Sequence, residues 1–227
     1  FYLRKSVFLQ DNIWLRMVGL SLIALISAGL YALHLHGSEV TFKPYVRRLR
    51  ALFLFLALAV ILTVSLLSVF GLNAVNDSGM YEFSFNAVFH AVVQVYLGKL
   101  LLADLFHQYG LYPHFLEPVF RLLGLTVSTF TVVMAVLTAL SLLCLYRFLW
   151  EITGHKIIAS LGFISMVYCC CLHGKVIWAT FDPFFQYHPI RFLFPALSIY
   201  LTFRYVKTKN AVLYYSSFLL YAVGLLW

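Results

Sequence analysis

Two stretches of this chain carry no charged residue. Ala51–Leu72 is 22 residues long and Leu122–Tyr146 is 25, the second bracketed by Arg121 and Arg147. As helices, about 20 apolar residues cross the roughly 30 Å of a bilayer's hydrocarbon. In water, helices like these would have to be covered on every side. The composition leaves little to cover them with: 63% of the 227 residues are hydrophobic and 11% are charged, where a soluble domain carries about 45–50% and about 25%. A soluble globular domain is therefore excluded. A mean hydropathy of +0.92 also excludes a disordered chain, which needs low hydrophobicity. Twelve Gly and four Cys are too few for a collagen-like or disulfide-stapled fold. What remains is an all-α, polytopic transmembrane helical bundle.

The same length criterion divides residues 1–227, taken as one transmembrane domain, into about six spans. They are 13–35, with Arg16 placed to snorkel; 51–72; 122–146; 157–173; 189–203, which contains Pro195 and sets Arg191 at the interface; and 211–227. The chain opens on Phe1 and ends at Trp227 inside an apolar run, which reads as a piece of a longer chain. The formal net charge of +8 would suggest nucleic acid for a soluble protein. In a membrane protein a basic excess marks cytoplasmic loops instead, so no nucleic-acid partner is expected. Loops 36–50, 147–156 and 204–210 hold nine Lys and Arg, including Arg50, Arg147 and Lys156, against four in 73–121 and 173–191. The first set is expected on the cytoplasmic side; Arg4 and Lys5 fall on the other. Five of the eight acids, Asp77, Glu82, Asp104, Glu117 and Asp182, lie in the outer loops. Either charge bias from topology or an acidic site on the outer face accounts for them.

The outer loop 73–121 is 49 residues long but is not loop-like in composition. Structureless loops of that length are uncommon and usually functional. Glu82, Asn86, His90 and Gln94 recur every fourth residue, which places them on one helix face. The other faces carry Phe85, Val88, Phe89 and Val92, so the spacing predicts an amphipathic helix lying in the membrane interface and ended by Gly98. The polar stripe serves either as a solvated face or as the border of a cavity. A short apolar piece, Leu100–Phe106, follows and carries Asp104. A turn through Tyr109-Gly110 comes next, and Glu117-Pro118 leads back to the membrane.

The stretch from Asn76 to Gly124, with Asp77, Gly98, Asp104, Gln108-Tyr109-Gly110, Pro113 and Pro118 in that order, resembles the first extracytoplasmic loop of GT-C membrane glycosyltransferases. It is most similar to the bacterial relatives of protein O-mannosyltransferases. Tyr187-His188-Pro189-Ile190-Arg191 and Phe194-Pro195-Ala196-Leu197 resemble a run common in those proteins. The pattern departs at Leu111, where Pro usually follows Tyr-Gly, and at Asp77-Ser78, where some eukaryotic members carry Asp-Glu. The resemblance implies a hexosyl- or pentosyltransferase of inverting mechanism in a bacterial cytoplasmic (inner) membrane, with its active site facing outward, towards the cell envelope. The implied donor is a sugar on a polyprenyl phosphate, and the acceptor is not specified.

Such a reaction needs a base for the acceptor hydroxyl and positive charge on the departing phosphate. Asp77 occupies the position of the family's catalytic acid, five residues past Leu72; it also stands where a helix N-cap would. Asp104, Glu82, Asn86, His90 and Tyr109 are the candidates for substrate contact in the outer loop. His188, Arg191 and Lys175 stand at the outer ends of spans, where they would meet either a donor phosphate or lipid headgroups. Cys144 and Cys169-Cys170-Cys171 show no metal-ligand or redox spacing. No cofactor is expected; a divalent metal is compatible with the reaction, but no residue pattern indicates one. A transporter or flippase of lipid-linked saccharides would place ionisable residues at mid-membrane, and the two longest runs have none. A non-catalytic assembly subunit would need no clustered outer acids. Membrane lipids are partners on any of these readings.

Overall fold

In the computed structural model, which describes residues 43–70, 80–104, 110–171 and 188–227, every regular element is an α-helix. Helix α1 is Lys43–Phe70, α2 Met80–Tyr96, α3 Tyr112–Leu123, α4 Val127–Thr153, α5 Lys156–Cys171, α6 His188–Thr208 and α7 Ala211–Leu226. The expected span 13–35 lies outside the described residues.

Two helices are long and apolar enough to cross a membrane, over Arg48–Leu66 in α1 and Val127–Thr153 in α4. They overlap the charge-free runs 51–72 and 122–146 but have different ends. Helix α1 includes Lys43–Arg50 ahead of the charge-free run. Helix α4 starts at Val127 rather than at 122 because Gly124, at φ 77°, closes the preceding helix. Thr126 and Thr129 then open α4 reciprocally. The Thr129 amide donates to Thr126 Oγ1 (3.1 Å) and the Thr126 amide to Thr129 Oγ1 (2.8 Å), a capping box with Thr in the usual Glu place. The described part of the expected span 157–173 and the expected span 211–227 fall on α5 and α7, which are apolar helices shorter than the two that are long enough to cross a membrane. The expected span 189–203 is contained in α6, 21 residues with Arg191, Pro195 and Arg204 inside it.

The contacts divide the chain into two compact units, Phe1–Leu62 with Tyr146–Asp182 and Thr63–Leu145 with Pro183–Trp227; only their described residues are considered. In the first unit a two-residue turn, Gly154-His155, folds α5 back beside the end of α4. Gly154 takes φ 65° there and donates to the Trp150 carbonyl at 2.9 Å. Tyr146 stacks edge-on against Phe163 (centroids 5.5 Å apart), and its hydroxyl lies 3.3 Å from the buried Ser160 hydroxyl.

In the second unit the core is an aromatic cluster. Phe130 of α4 is fully buried and meets Phe85 and Phe89 of α2 (5.7 and 5.1 Å) and Phe120 of α3 (6.0 Å). The Tyr112 hydroxyl donates to the Val88 carbonyl at 2.6 Å, fixing α3 on α2 in a buried site. The buried hydroxyls of Thr138 and Ser141 donate to carbonyls of their own helix, at Met134 and Thr138 (2.8 and 2.9 Å), which satisfies them without a partner helix. Helices α6 and α7 form a hairpin across Lys209-Asn210. The Asn210 side chain caps α7 by accepting from the Val212 amide at 2.9 Å, and Gly224 lies close against Phe194.

Candidate functional site

The predicted amphipathic helix is α2, Met80–Tyr96, followed by Gly98 as expected. Its buried residues, Phe85, Val88, Ala91, Val92 and Val95, follow a helical period, while Asn86 and His90 are exposed one turn apart. Glu82 has the same register one turn earlier on the backbone. The helix stops in a Schellman motif. The Lys99 amide donates to the Gln94 carbonyl (3.0 Å) and the Gly98 amide to the Val95 carbonyl (2.8 Å), with Gly98 at φ 90°.

Just past that stop, Asp104 closes a local turn. One of its carboxylate oxygens accepts from the Leu100 amide at 2.9 Å, and its own amide donates back to the Leu100 carbonyl at 2.9 Å. Leu102 takes φ 68° inside this turn, a left-handed conformation that is unfavourable for a branched side chain. The Leu101 amide reaches His114 Nε2 of α3 at 3.3 Å. Asp104 is exposed, so its carboxylate combines a structural contact with access to solvent.

Helix α3 returns from this turn with Pro113 in its first turn and Tyr112, Pro113, Leu116 and Phe120 buried. Its outer face carries the Glu117–Arg121 pair at 3.1 Å, and Arg121 also lies over the Tyr96 ring at 4.6 Å. The segment before α3 is anchored to the end of α7: the Leu111 amide donates to the Leu226 carbonyl at 2.7 Å. The Trp227 ring packs between Phe194, Phe115 and Tyr112, at 5.0, 5.9 and 6.2 Å.

At the start of α6 the two expected phosphate-facing residues have different surroundings. His188 is buried, with its ring 5.9 Å from Phe192, and Arg191, one turn on, is exposed. Arg191 is thus the member of the pair presented at the surface. Asp77, Tyr109 and Lys175 lie outside the described residues. Among the described residues, no group of three His, Cys, Asp or Glu is placed to hold a metal.

The structure also forms a site that the sequence reading did not assemble. A cleft of about 410 Å³ lies within the first unit, lined by Arg50 and Leu54 of α1, Trp150 of α4, the Gly154-His155 turn and Lys156 of α5. From the loop charges, Arg50, Arg147 and Lys156 are expected on one side of the membrane. Their convergence joins residues about a hundred positions apart, which no local pattern reports.

No family model matches this chain, and no curated protein or solved structure matches it.

Proposed function

We propose that this chain is part of a multi-pass integral membrane glycosyltransferase of GT-C type. It transfers a sugar from a polyprenyl-phosphate donor to an acceptor on the extracytoplasmic side of a bacterial cytoplasmic membrane. The observation that carries the reading is helix α2. It directly follows Asp77 in the chain, presents Asn86 and His90 outward, and is fastened to α3 and α4 by Phe85, Phe89 and the Tyr112–Val88 hydrogen bond. A packed helix with Asn86 and His90 exposed on one face is suited to contact an acceptor.

The membrane reading has its own support. Only 17% of the apolar window of α1 and 39% of that of α4 is buried, with Phe55, Leu62 and Val136 among the exposed side chains. A soluble core helix would be mostly covered, whereas lipid-facing helices need no cover. The Leu111–Leu226 hydrogen bond joins the segment before α3 to the end of α7 that is remote in sequence from Lys207 and Lys209, which supports the loop-charge orientation.

In the proposed reaction, the acceptor hydroxyl oxygen attacks the anomeric carbon as the bond from that carbon to the phosphate oxygen breaks. The hydroxyl proton passes to Asp77, and the electron pair of the broken bond stays on the polyprenyl phosphate. Arg191 offsets the negative charge left there, through hydrogen bonds that are stronger than neutral ones because both partners are ionised. Attack from the face opposite the leaving group inverts the anomeric centre. The test is transfer from radiolabelled polyprenyl-phosphate sugars by membranes carrying the full-length protein. Asp77→Asn preserves shape and capping and removes the base, so transfer should fall by about 10²–10⁴-fold at unchanged expression. An Asp77→Asn protein with wild-type turnover would remove Asp77 from the mechanism and move the search to Asp104.

A further inference from the structure

The cleft in the first unit is independent of that chemistry. Its chemical character comes from two cations and an indole. Lys156 Nζ lies 4.4 Å from the centre of the Trp150 ring, and the Arg147 guanidinium lies 4.6 Å from it. Arg147 is also paired with Glu151 at 3.4 Å. Among the described residues, neither Arg50 nor Lys156 has a carboxylate partner, and no acid lines the cleft. Two positive charges thus line one concave space, and no described acid lines it with them. Lys156 is also the first residue of α5, so the positive end of that helix's dipole adds the same sign.

Depth narrows the ligand further. Arg50 is the last charge before the apolar run of α1, and Arg147 is the first after that of α4. The cleft is therefore at the level where both helices pass from apolar to charged, and Trp150 is an aromatic residue of the kind enriched at that boundary. Its lining combines the apolar Leu54 with the cationic Arg50 and Lys156. From this geometry we infer that the cleft binds a phosphate group, held by Arg50 and Lys156 against Trp150. The chemistry is shared by two sources, the headgroup of an anionic phospholipid and free phosphate. Basic pockets between membrane helices on the cytoplasmic side bind anionic headgroups by this same combination. The depth assignment rests on the membrane reading above; the charge assignment does not.

The experiment has two arms, both on the purified full chain in neutral detergent. The first titrates phosphatidylglycerol or phosphatidylcholine and counts bound lipid by native mass spectrometry. The second follows thermal unfolding with and without inorganic phosphate. Three variants are compared with wild type: Arg50→Gln/Lys156→Gln; the charge-preserving Arg50→Lys/Lys156→Arg; and Lys207→Gln/Lys209→Gln, which removes the same net charge elsewhere. Near an anionic surface each cation changes affinity roughly fivefold, so losing both should weaken binding roughly thirtyfold. Retention of phosphatidylglycerol over phosphatidylcholine, lost in the first variant and kept in the other two, supports the site with a lipid source. Stabilisation by inorganic phosphate with the same dependence supports it with a free-phosphate source. Equal losses in the Lys207/Lys209 variant, or no dependence on Arg50 and Lys156 in either arm, overturns the site. Should the first variant fail to fold, the single variants Arg50→Gln and Lys156→Gln decide: a roughly fivefold loss of binding in each supports the site, and unchanged binding in both overturns it.

Discussion

Gly98 and Gly110 both take positive φ, 90° and 81°, but they stand in different surroundings. A Cβ added at Gly98 would meet nothing within 4 Å. At Gly110 it would lie 2.8 Å from the Trp227 carbonyl carbon, 3.1 Å from the Leu226 oxygen and closest to the Trp227 carbonyl oxygen. Alanine at either position incurs the left-handed penalty of about 1–2 kcal/mol. Part of that is offset by about 0.4–1 kcal/mol because the unfolded chain loses freedom. Gly98→Ala should therefore cost about 1 kcal/mol. Gly110→Ala adds a collision with backbone, which cannot swing aside as a side chain can. Forced overpacking costs about 1–3 kcal/mol, bringing the total to about 2–4 kcal/mol. The assay is thermal and denaturant unfolding of the two variants side by side in the same detergent, followed by circular dichroism. Equal losses in the two variants would refute the claim that the 110–112 segment is pressed against the end of α7.

Three further outcomes are expected. With the native cysteines replaced, a single Cys at Ser78 should react with an impermeant thiol reagent on intact cells, and one at Ser38 should not; the reverse pattern would invert the topology. Alanine at Asn86 or His90 should raise the apparent acceptor KM more than it lowers expression, and unchanged kinetics in both would reduce the stripe to a solvated face. Tyr112→Phe removes only the hydroxyl that donates to the Val88 carbonyl, so unfolding should show a loss of about 0.5–1.5 kcal/mol; a loss near zero would mean that bond does not hold α3 on α2.

The long apolar helices were legible because one quantity, the absence of charge over more than 20 residues, decides them. Their ends were less so. The run at 122–146 hides a break, because Gly124 and the Thr126–Thr129 box are short-range hydrogen-bonding features that hydropathy does not register. Helix α3 occupies the stretch read as a return through Glu117-Pro118; Pro113 in its first turn is compatible with a helix, and Pro118 lies inside it. The polar stripe of α2 was visible because a four-residue period is local information. The burial of His188 beside an exposed Arg191 was not, since it depends on which neighbours α6 meets. Asp104 shows the same limit: its spacing from the Gly98 stop was apparent, but its hydrogen bond to the Leu100 amide was not. The cleft at Arg50 and Lys156 needed the packing of three helices before its two charges could be seen together.

The hydrogen bond from the Leu111 amide to the Leu226 carbonyl has a kinetic consequence. An amide exchanges its hydrogen with solvent only while its bond is open, and this bond opens only when the tip of α7 moves off the segment that precedes α3. The two elements therefore fray as one cooperative unit although they are far apart in the chain. A substitution in the last turn of α7 would therefore change the exchange rate of the Leu111 amide without touching the segment that carries it.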